Sequence, residues 1–353
     1  MREEWRGDKP MKNPALNDRE IEELLSEPTP GVIEAVRALT GAFMVLGVGG
    51  KMGTTTAVML RRALDAAGKK STQVLGVSRF SRPEAQAALA ESGVVPVACD
   101  LADPDAVMRL PLAANVEYLA GQKFGTDGAP DETWIQNTVV PAYVARKFRA
   151  SRIVVFSTGC VYPYTPVDGR GATESTPVAF LGEYASTCVG RERVFTHYAR
   201  KFGTKQLMFR LNYSVELRYG VLVDIGQRVL NGEPVDITMN VFNLIWQRDA
   251  CARAIQCLQH VESPPKILNV TGAERYAIRD VAERFGRVFG RPPVLTGKPA
   301  AVAWHSDASE SLRLFGPTSL SLDEMIGLVA GHLETGGRLL GKPTHFETRD
   351  GKF

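Results

Sequence analysis

The sequence predicts an α/β fold, in which a doubly wound parallel sheet is followed by a smaller C-terminal α+β lobe. Apolar strand segments alternate with helical segments between residues 42 and 211, and the alternation becomes irregular after that. Continuous apolar strands of this kind are typical of parallel sheets covered by helices on both faces. The predicted strands are 42–50, 73–79, 94–101, 115–121, 152–158 and 205–211, and the predicted helices are 54–68, 83–93, 131–150 with a bend at Pro141, and 184–202.

Composition and charge narrow the function classes. The chain has 353 residues, 44% hydrophobic and 23% charged, which are ordinary globular values. A net charge of +3 is too small to indicate a nucleic-acid surface. Five scattered cysteines without a CxxC pair indicate a reducing compartment, and the dispersed histidines lack metal-binding spacing. With no signal peptide and no long apolar run, we expect a cytoplasmic protein that binds neither membranes nor nucleic acids.

A glycine-rich loop joins the first predicted strand to the first predicted helix. The stretch "GVGGKMG" fits G-x-x-G-x-x-G through Gly47, Gly50 and Gly53, with Lys51 and Met52 between the last two glycines. Glycines permit a tight turn and close backbone approach, and the following helix N-terminus offers N–H groups to a pyrophosphate. Because the loop opens a βαβ unit, it predicts a Rossmann-type dinucleotide-binding domain rather than a plain glycine turn.

The end of the second strand indicates which dinucleotide binds. A carboxylate there would bind the ribose 2′-hydroxyl of NAD, but the sequence has Ser78 and Arg79 in "GVSRFSR". A hydroxyl and a guanidinium suit a 2′-phosphate, and Lys51 could add to that charge. NADP(H) is therefore favoured over NAD(H), although Arg79 could also be an ordinary surface arginine.

Five further motifs follow in order along the chain. They are "CDL" at 99–101, "YLAG" at 118–121, "NTVVPAYVARKF" from Asn137, "FSTGCVYP" around Thr158, and "YASTCVGRE" from Tyr184. From about Ala42 to about Gly290 the chain resembles the extended short-chain dehydrogenases/reductases, the NAD(P)-dependent epimerase/dehydratase group. The resemblance places Asp100 and Leu101 near the adenine, and Leu119, Ala120 and Gly121 beside the cofactor.

The resemblance also implies the catalytic groups. Tyr184 would be the proton donor or acceptor, Thr158 would hydrogen-bond the same substrate oxygen, and Asn137 would support the site, while nicotinamide transfers hydride. In that family a lysine lowers the pKa of the tyrosine, since a phenol with a pKa near 10 is a poor base at neutral pH. Here Cys188 stands at the lysine position, with Glu192 in register.

Three interpretations of Cys188 remain open from the sequence. The chain could be a weak or inactive relative that still binds the dinucleotide. It could be an enzyme in which Tyr184 acts as a neutral donor or another group supplies the cation, such as Arg191, Arg193 or a lysine from another segment. Cys188 could also react itself, although a buried cysteine is usually inert.

Candidate substrate residues lie outside the sheet motifs. In "RLNYS" Tyr213 stands where the family often has an asparagine that holds the phosphates of the substrate. This difference weakens the assignment of a nucleotide sugar as substrate, and a smaller sugar or sugar acid stays open. Glu174, in a Pro/Gly-rich loop, could reach the substrate. Trp304 and His305 could line a sugar pocket, although ordinary loop packing would also explain them.

These motifs divide the predicted chain into three parts. Residues 1–40 form an N-terminal helical extension. Residues 41–212 form the dinucleotide-binding domain, to which 236–262 return. Residues 213–235 and 263–353 form the substrate-binding lobe.

The predicted function is that of an NAD(P)-dependent oxidoreductase or epimerase/dehydratase acting on a sugar-like hydroxyl or keto substrate. The alternative is a non-catalytic NADP(H)-binding protein that senses the cofactor. By analogy with the family, whose helices after the fourth and fifth strands pack between subunits, we also expect a homodimer.

Overall fold

The computed structural model describes residues 16–123, 125–126 and 128–351. The first fifteen residues of the predicted N-terminal extension therefore lie outside the described residues. The helices are α1 Asp18–Leu25, α2 Pro30–Ala38, α3 Gly53–Ala66, α4 Pro83–Glu91, α5 Pro104–Arg109, α6 Pro130–Trp134, α7 Val140–Lys147, α8 Gly182–Phe202, α9 Val221–Asn231, α10 Gln247–Cys257, α11 Ile278–Phe289, α12 Ser309–Phe315 and α13 Leu322–Glu334. The strands are β1 Phe43–Leu46, β2 Val74–Ser78, β3 Val95–Ala98, β4 Asn115–Tyr118, β5 Arg152–Thr158, β6 Thr165–Pro166, β7 Gln206–Leu211, β8 Ser214–Val215, β9 Pro234–Asp236, β10 Val241–Phe242, β11 Ile245–Trp246, β12 Lys266–Val270, β13 Tyr276–Ala277, β14 Val294–Thr296 and β15 Val302–Ala303.

Seven parallel strands form the central sheet, in the order β12-β7-β5-β4-β1-β2-β3. All six predicted strands are present, and the predicted doubly wound fold is confirmed. The chain moves outward in opposite directions from β1 and β4, so a crevice opens at their carboxyl ends. That crevice is where such sheets bind ligands.

Alternate side chains of the inner strands β1, β5 and β7 enter two different cores, as the continuous apolar pattern predicts. In β1, Phe43 and Val45 join the core under α2, α3 and α10. Met44 and Leu46 join the opposite core, under α5, α7 and α8. Both faces of the sheet are therefore buried, which holds the carboxyl ends of the strands in fixed positions.

The predicted helix over 131–150 is interrupted by a π-helical turn, Ile135–Val139, between α6 and α7. Pro141 follows directly, in the first turn of α7, and its missing N–H cannot continue the α-helical ladder. Single π-turns occur often at functional sites. Here the turn carries Asn137, whose side chain is fully buried.

The lobe is built from α9, α11 and α13 around a third core, with β9 paired to β14 and β10 to β13. No helix among the described residues is long and apolar enough to cross a membrane. The lobe covers the carboxyl edge of the sheet, because residues from 213–219 and 342–344 line the cavity described below.

Strand β12 and the N-terminal helices do not follow the predicted division of the chain into an extension, a dinucleotide-binding domain and a lobe. Strand β12 falls within 263–353, the predicted lobe, yet it pairs with β7 along its whole length and extends the central sheet. The N-terminal helices do not form a separate layer, since α1 buries Ile21 and Leu25 in the lobe core while α2 packs on the sheet core. Short apolar segments alone do not reveal which core they will join.

Candidate active site

A cavity of about 300 Å³ lies at the carboxyl ends of β1, β4, β5 and β7, between the sheet and the lobe. Its walls come from the glycine loop, the segment after β4, the end of β5, the first turns of α8 and two segments of the lobe. Of the predicted site residues, those lining it are Gly47, Gly50, Lys51, Met52, Gly53, Leu119, Gly121, Thr158, Tyr184 and Tyr213.

The glycine loop forms a cradle that side chains would fill. Gly47 has φ +93°, and a Cβ atom there would lie 2.7 Å from the backbone nitrogen of Ala120. A Cβ atom at Gly53 would lie 2.4 Å from the carbonyl oxygen of Gly47. Among the described residues no side chain caps the N-terminus of α3 at Met52, so this helix end faces the cradle with its N–H groups. The loop therefore fits a dinucleotide pyrophosphate.

At the end of β2, Ser78 lies against the loop, since a Cβ atom at Gly49 would lie 2.6 Å from its hydroxyl oxygen. Arg79 is exposed beside it. The interpretation of Lys51 as a third group for a 2′-phosphate needs correction. Its ammonium nitrogen lies 3.2 Å from the ring centroid of Tyr219 in the lobe, and it lines the cavity, whereas Ser78 and Arg79 do not.

Asp100 and Leu101 follow β3 at the same edge of the sheet. The Asp100 carboxylate accepts a hydrogen bond from the Ala102 N–H at 3.0 Å, which shapes the turn, and Asp100 is exposed. Leu101 is buried in the sheet core. Their predicted place near the adenine is compatible with this edge position, and it stays a prediction.

Thr158 and Tyr184 come together as the motifs predict. Thr158 ends β5 and Tyr184 lies in the first turn of α8, and the two side chains are close enough for Thr158 to lower the pKa of Tyr184. The Thr158 hydroxyl also accepts a hydrogen bond from the Cys160 N–H at 3.2 Å. Burial raises the pKa of Tyr184 well above its usual value, with further increases from Cys188 and Cys160. The Tyr184 phenol is therefore a neutral proton donor in this structure.

Cys188 is fully buried, one turn after Tyr184 on the same helix, and the two side chains influence each other's pKa. Burial raises the pKa of the Cys188 thiol to about 11, so the group is a neutral thiol at physiological pH. Since the thiolate is the nucleophilic form, this environment argues against a reactive cysteine. It equally means that Cys188 adds no negative charge beside the tyrosine.

Arg191, one turn beyond Cys188, is a buried cation close to Tyr184. Its Nη1 donates to the Phe156 carbonyl at 2.9 Å and its Nη2 donates to the Asn137 side-chain oxygen. Asn137 also exchanges two hydrogen bonds of 2.9 Å with the backbone of Gln122 and donates to the Thr187 hydroxyl at 3.0 Å. Asn137 thus joins the π-turn, the segment after β4 and α8, and it positions Arg191.

Gly121 makes this arrangement possible, because a Cβ atom there would lie 2.1 Å from Arg191 Nη2 and 2.7 Å from the Asn137 oxygen. The positive charge of Arg191 partly offsets the rise in the pKa of Tyr184. Arg193, the other arginine suggested from the sequence, is exposed and lies over the Phe180 ring at 5.1 Å. Only Arg191 of the two lies in the site.

A buried ion pair supports Thr158 from behind. Glu192 accepts hydrogen bonds from Arg210 at 2.6 and 2.9 Å, and from the hydroxyl of Ser157 at 2.6 Å. The Arg210 and Glu192 side chains are only 3% and 9% exposed. This pair ties α8 to β5 and β7 next to the two hydroxyl-bearing residues.

Several residues that line the cavity carry no sequence signal of their own. They are Lys123, Cys160, Tyr219, Lys342 and Thr344. Lys123 follows the "YLAG" motif by two residues and could have been suspected from that position. Tyr219, Lys342 and Thr344 come from the irregular C-terminal half, where only the folding of the lobe onto the sheet brings them to the cavity.

Three predicted substrate residues lie away from the cavity. Glu174 accepts a hydrogen bond from the Asn269 N–H at 2.9 Å and so anchors its loop to β12. Trp304 is buried, donates to the Tyr162 carbonyl at 2.9 Å and packs on Tyr164. The buried His305 ring contacts the Pro166 carbonyl at 3.0 Å. All three serve packing of loops, the alternative that the sequence left open for Trp304 and His305.

Solved structures of sugar-nucleotide epimerases share this fold. A Thermus thermophilus UDP-glucose 4-epimerase in complex with NAD superposes with a TM-score of 0.66 at 20% identity, covering 83% of this chain and 99% of that one. A Bacillus cereus UDP-glucuronic acid 4-epimerase in complex with NAD gives 0.68 at 16% identity, covering 83% and 99%. The Campylobacter jejuni UDP-Glc/GlcNAc 4-epimerase gives 0.68 at 17% identity, covering 84% and 100%.

The comparison with curated proteins finds no match. The model of the NAD-dependent epimerase/dehydratase family, however, matches residues 43–270 of the 353. That range contains the glycine cradle, the Thr158–Tyr184 pair and the whole central sheet, and the match confirms the resemblance drawn from the motifs. The chain belongs to the NAD-dependent epimerase/dehydratase family.

Proposed function

We propose that this chain catalyses NAD(P)-dependent oxidation or reduction at a hydroxyl or keto carbon of a sugar-like substrate, as an oxidoreductase or an epimerase/dehydratase. The neighbouring Thr158 and Tyr184 side chains, which both line a cavity that continues into the glycine cradle, carry the proposal. The bound dinucleotide would supply the hydride donor or acceptor, held by Gly47, Gly50 and Gly53.

In this proposal two hydroxyl groups hold one substrate oxygen. Thr158 and Tyr184 hydrogen-bond it and orient the carbon that reacts. Because its pKa is raised, Tyr184 carries its proton at neutral pH and donates it to the oxygen as negative charge develops there during reduction. Oxidation requires the reverse transfer, which a nearby cation favours by stabilising the phenolate.

We assign that cation to Arg191. Its guanidinium is buried, is held by Asn137 and Phe156, and lowers the pKa of Tyr184 against the effect of burial. An arginine is charged under all physiological conditions, so it supplies this charge regardless of its own burial. Arg191 is thus a positioning and electrostatic group that stands in for the family's lysine, while Cys188 fills the space beneath Tyr184.

We further propose that NADP(H) is the preferred cofactor. The segment after β2 reads Ser78, Arg79, Phe80, Ser81 and Arg82, with no carboxylate to bind a free 2′-hydroxyl. Removal of a charged hydrogen-bonding partner costs about 1.5–3 kcal/mol of binding free energy. Arg79→Ala should therefore weaken NADPH binding by roughly 10- to 100-fold. NADH binding should stay unchanged, and an equal loss for both cofactors would contradict the preference.

The test of the proposed activity is spectrophotometric. NADPH and NADH are mixed with the protein and a panel of keto and aldehyde sugar derivatives, and absorbance is followed for oxidation of the cofactor. We expect turnover with some members of the panel and its loss in Tyr184→Phe. Turnover that survives in Tyr184→Phe would refute the role of this residue.

One observation favours a second candidate, a protein that binds NADP(H) without catalysis. The family's lysine position holds Cys188, and the pKa of Tyr184 is raised rather than lowered. Tight NADPH binding without oxidation of the cofactor across the whole panel would select this candidate over the enzyme.

We propose a homodimer formed through α6, α7 and α8. Trp134 and Ile135 on this side of the molecule, and Phe180 just before α8, are large apolar side chains that are 44%, 40% and 55% exposed. Sedimentation velocity tests the proposal, since Ile135→Glu should shift a dimer toward the monomer.

A further inference from the structure

The wall of the cavity is strongly positive. Among the described residues that line it are four cationic side chains and no carboxylate. Arg191 is one of the four, and its guanidinium is already bound by Asn137 and Phe156. The other three are Lys51 of the glycine loop, Lys123 after β4 and Lys342 in the segment after α13.

The three lysines approach one another around Tyr219 of the lobe. Lys51 lies over its ring, 3.2 Å from the centroid, and Lys123 is close enough for Tyr219 to raise its pKa. Lys342 is close enough to Lys51 for its charge to lower the pKa of Lys51. Segments that are far apart in sequence thus bring three ammonium groups to the substrate side of one small cavity.

Two carboxylates, Glu216 and Asp224, attract the Lys51 ammonium, but both are bonded to other groups. Glu216 is bound to Arg218 at 3.2 Å, and Asp224 accepts hydrogen bonds from the N–H of Thr344 at 2.7 Å and from its hydroxyl at 2.5 Å. Burial and the charge of Lys123 hold the pKa of Lys51 well below its usual value. The pKa of Lys123, by contrast, is raised, because Tyr219, Cys160 and Asp224 outweigh the effect of its burial, so this side chain stays a cation. A bound anion would interact favourably with it.

Building on the proposed function, we propose that the substrate carries a negatively charged group, a carboxylate or a phosphate, which Lys51, Lys123 and Lys342 hold in the cavity that contains Tyr184. Ammonium groups form strong charge-assisted hydrogen bonds with both anions. A cavity of about 300 Å³ that must also admit the nicotinamide end of the cofactor leaves room for a small molecule. The substrate class is a sugar acid or a sugar phosphate.

The cofactor's own phosphates are the competing explanation for the lysines. The pyrophosphate belongs at the cradle of Gly47, Gly50 and Gly53, on the N-terminus of α3. The 2′-phosphate belongs at the end of β2, beside Arg79. The Lys51 ammonium lies against Tyr219 of the lobe, and Lys342 belongs to the lobe segment, so this charge faces the substrate side.

The test measures binding of three probes to protein saturated with NADP⁺: glucose, glucuronate and glucose 6-phosphate. Calorimetric titrations use the wild type, Lys123→Met, Lys342→Met and the control Lys298→Met, whose lysine is exposed and outside the cavity. We expect at least one anion to bind about tenfold or more tightly than glucose, and to lose roughly tenfold in Lys123→Met and Lys342→Met. Lys298→Met should match the wild type. The more tightly bound anion distinguishes phosphate from carboxylate.

Several results would overturn the inference. Equal affinities for the three probes, or no measurable binding of either anion, would show that the lysines do not select charge. Anion binding that NADP⁺ abolishes would assign the lysines to the cofactor. Equal binding by the wild type and both cavity variants would place any anion elsewhere.

The proposed function can fail independently. If uncharged carbonyl sugars are turned over, Tyr184 is required and no anion is preferred, the proposed activity is supported and the anion site is refuted. If the wild type and Tyr184→Phe both bind the anion, but no charged or uncharged carbonyl compound oxidises NADPH, the anion site is supported and the proposed activity is refuted.

Discussion

Replacement of Arg191 by methionine tests whether this arginine supplies the charge that the family's lysine would otherwise provide. Arg191 lies seven residues beyond Tyr184 on α8, which is about 10 Å along a helix axis. Two charges at that separation interact by about 1.7 kcal/mol at an effective dielectric constant of about 20. Loss of the guanidinium should therefore raise the pKa of Tyr184 further, because Arg191 lowers it in the wild type.

The sign of this shift predicts a slower oxidation. Oxidation needs the phenolate, so below the pKa of Tyr184 its rate rises with pH in proportion to the ionised fraction. Loss of about 1.7 kcal/mol of phenolate stabilisation lowers the oxidation rate by up to roughly 15-fold at a fixed pH below that pKa. With cofactor binding unchanged, the overall equilibrium requires kcat/KM for reduction to fall by the same factor.

The assay follows formation of NADPH with an alcohol substrate identified by the panel, between pH 7 and 9.5. Arg193→Met is the matched control, since Arg193 is exposed on the same helix and only contacts Phe180. Arg191→Lys should retain most of the rate because it keeps the charge. Cys188→Lys in the Arg191→Met background should restore it.

Two results would refute this reasoning. Equal oxidation rates in Arg191→Met and Arg193→Met would show that the charge has no role. A loss that neither Arg191→Lys nor Cys188→Lys in the Arg191→Met background restores would indicate misfolding or lost positioning of Asn137 instead of an electrostatic effect, and thermal unfolding of the variant distinguishes these two causes.

Two further predictions concern the support of the site. Glu192→Gln leaves the buried Arg210 without its counter-charge and should lower the free energy of unfolding by about 3–5 kcal/mol. The control Glu310→Gln removes an exposed ion pair and should cost less than about 1 kcal/mol. Similar urea midpoints for the two variants would contradict this prediction. Gly53→Ala places a Cβ atom 2.4 Å from a loop carbonyl and should weaken NADPH binding by roughly tenfold or more, measured by fluorescence titration. Gly327→Ala in α13, which meets nothing within 4 Å, should bind NADPH normally, and an unchanged affinity in Gly53→Ala would argue against the cradle.

The central sheet was predictable because its signals are local. Each strand is a short apolar run, and both faces of β1 are buried, so the periodicity of the sequence maps directly onto the two cores. Strand β12 was missed as part of the sheet because it comes after the irregular segment, and its place beside β7 depends on how the residues between the two strands, including α9 and α10, fold. The long helix before β5 was foreseen, but its π-turn was not.

The Thr158–Tyr184 pair was predictable for a similar reason. Thr158 ends a strand and Tyr184 begins a helix, and motifs of fixed spacing around each identify them. The pockets of the lobe have no such motif. Trp304 and His305 look like sugar-binding residues in sequence, but their polar atoms are used by the carbonyls of Tyr162 and Pro166. Residue type alone does not reveal which partner a buried side chain finds.

The sequence by itself determined the order of strands and helices, the glycine cradle, and the helix that carries Tyr184 with a thiol in place of an ammonium. Those features depend on neighbouring residues and on helix or strand periodicity. Only the tertiary structure decided that Arg191, and not Arg193, lies in the site, and that Lys51, Lys123 and Lys342 face one cavity. Electrostatic interactions act through space, so the charge that Tyr184 experiences depends on which distant segments pack around it.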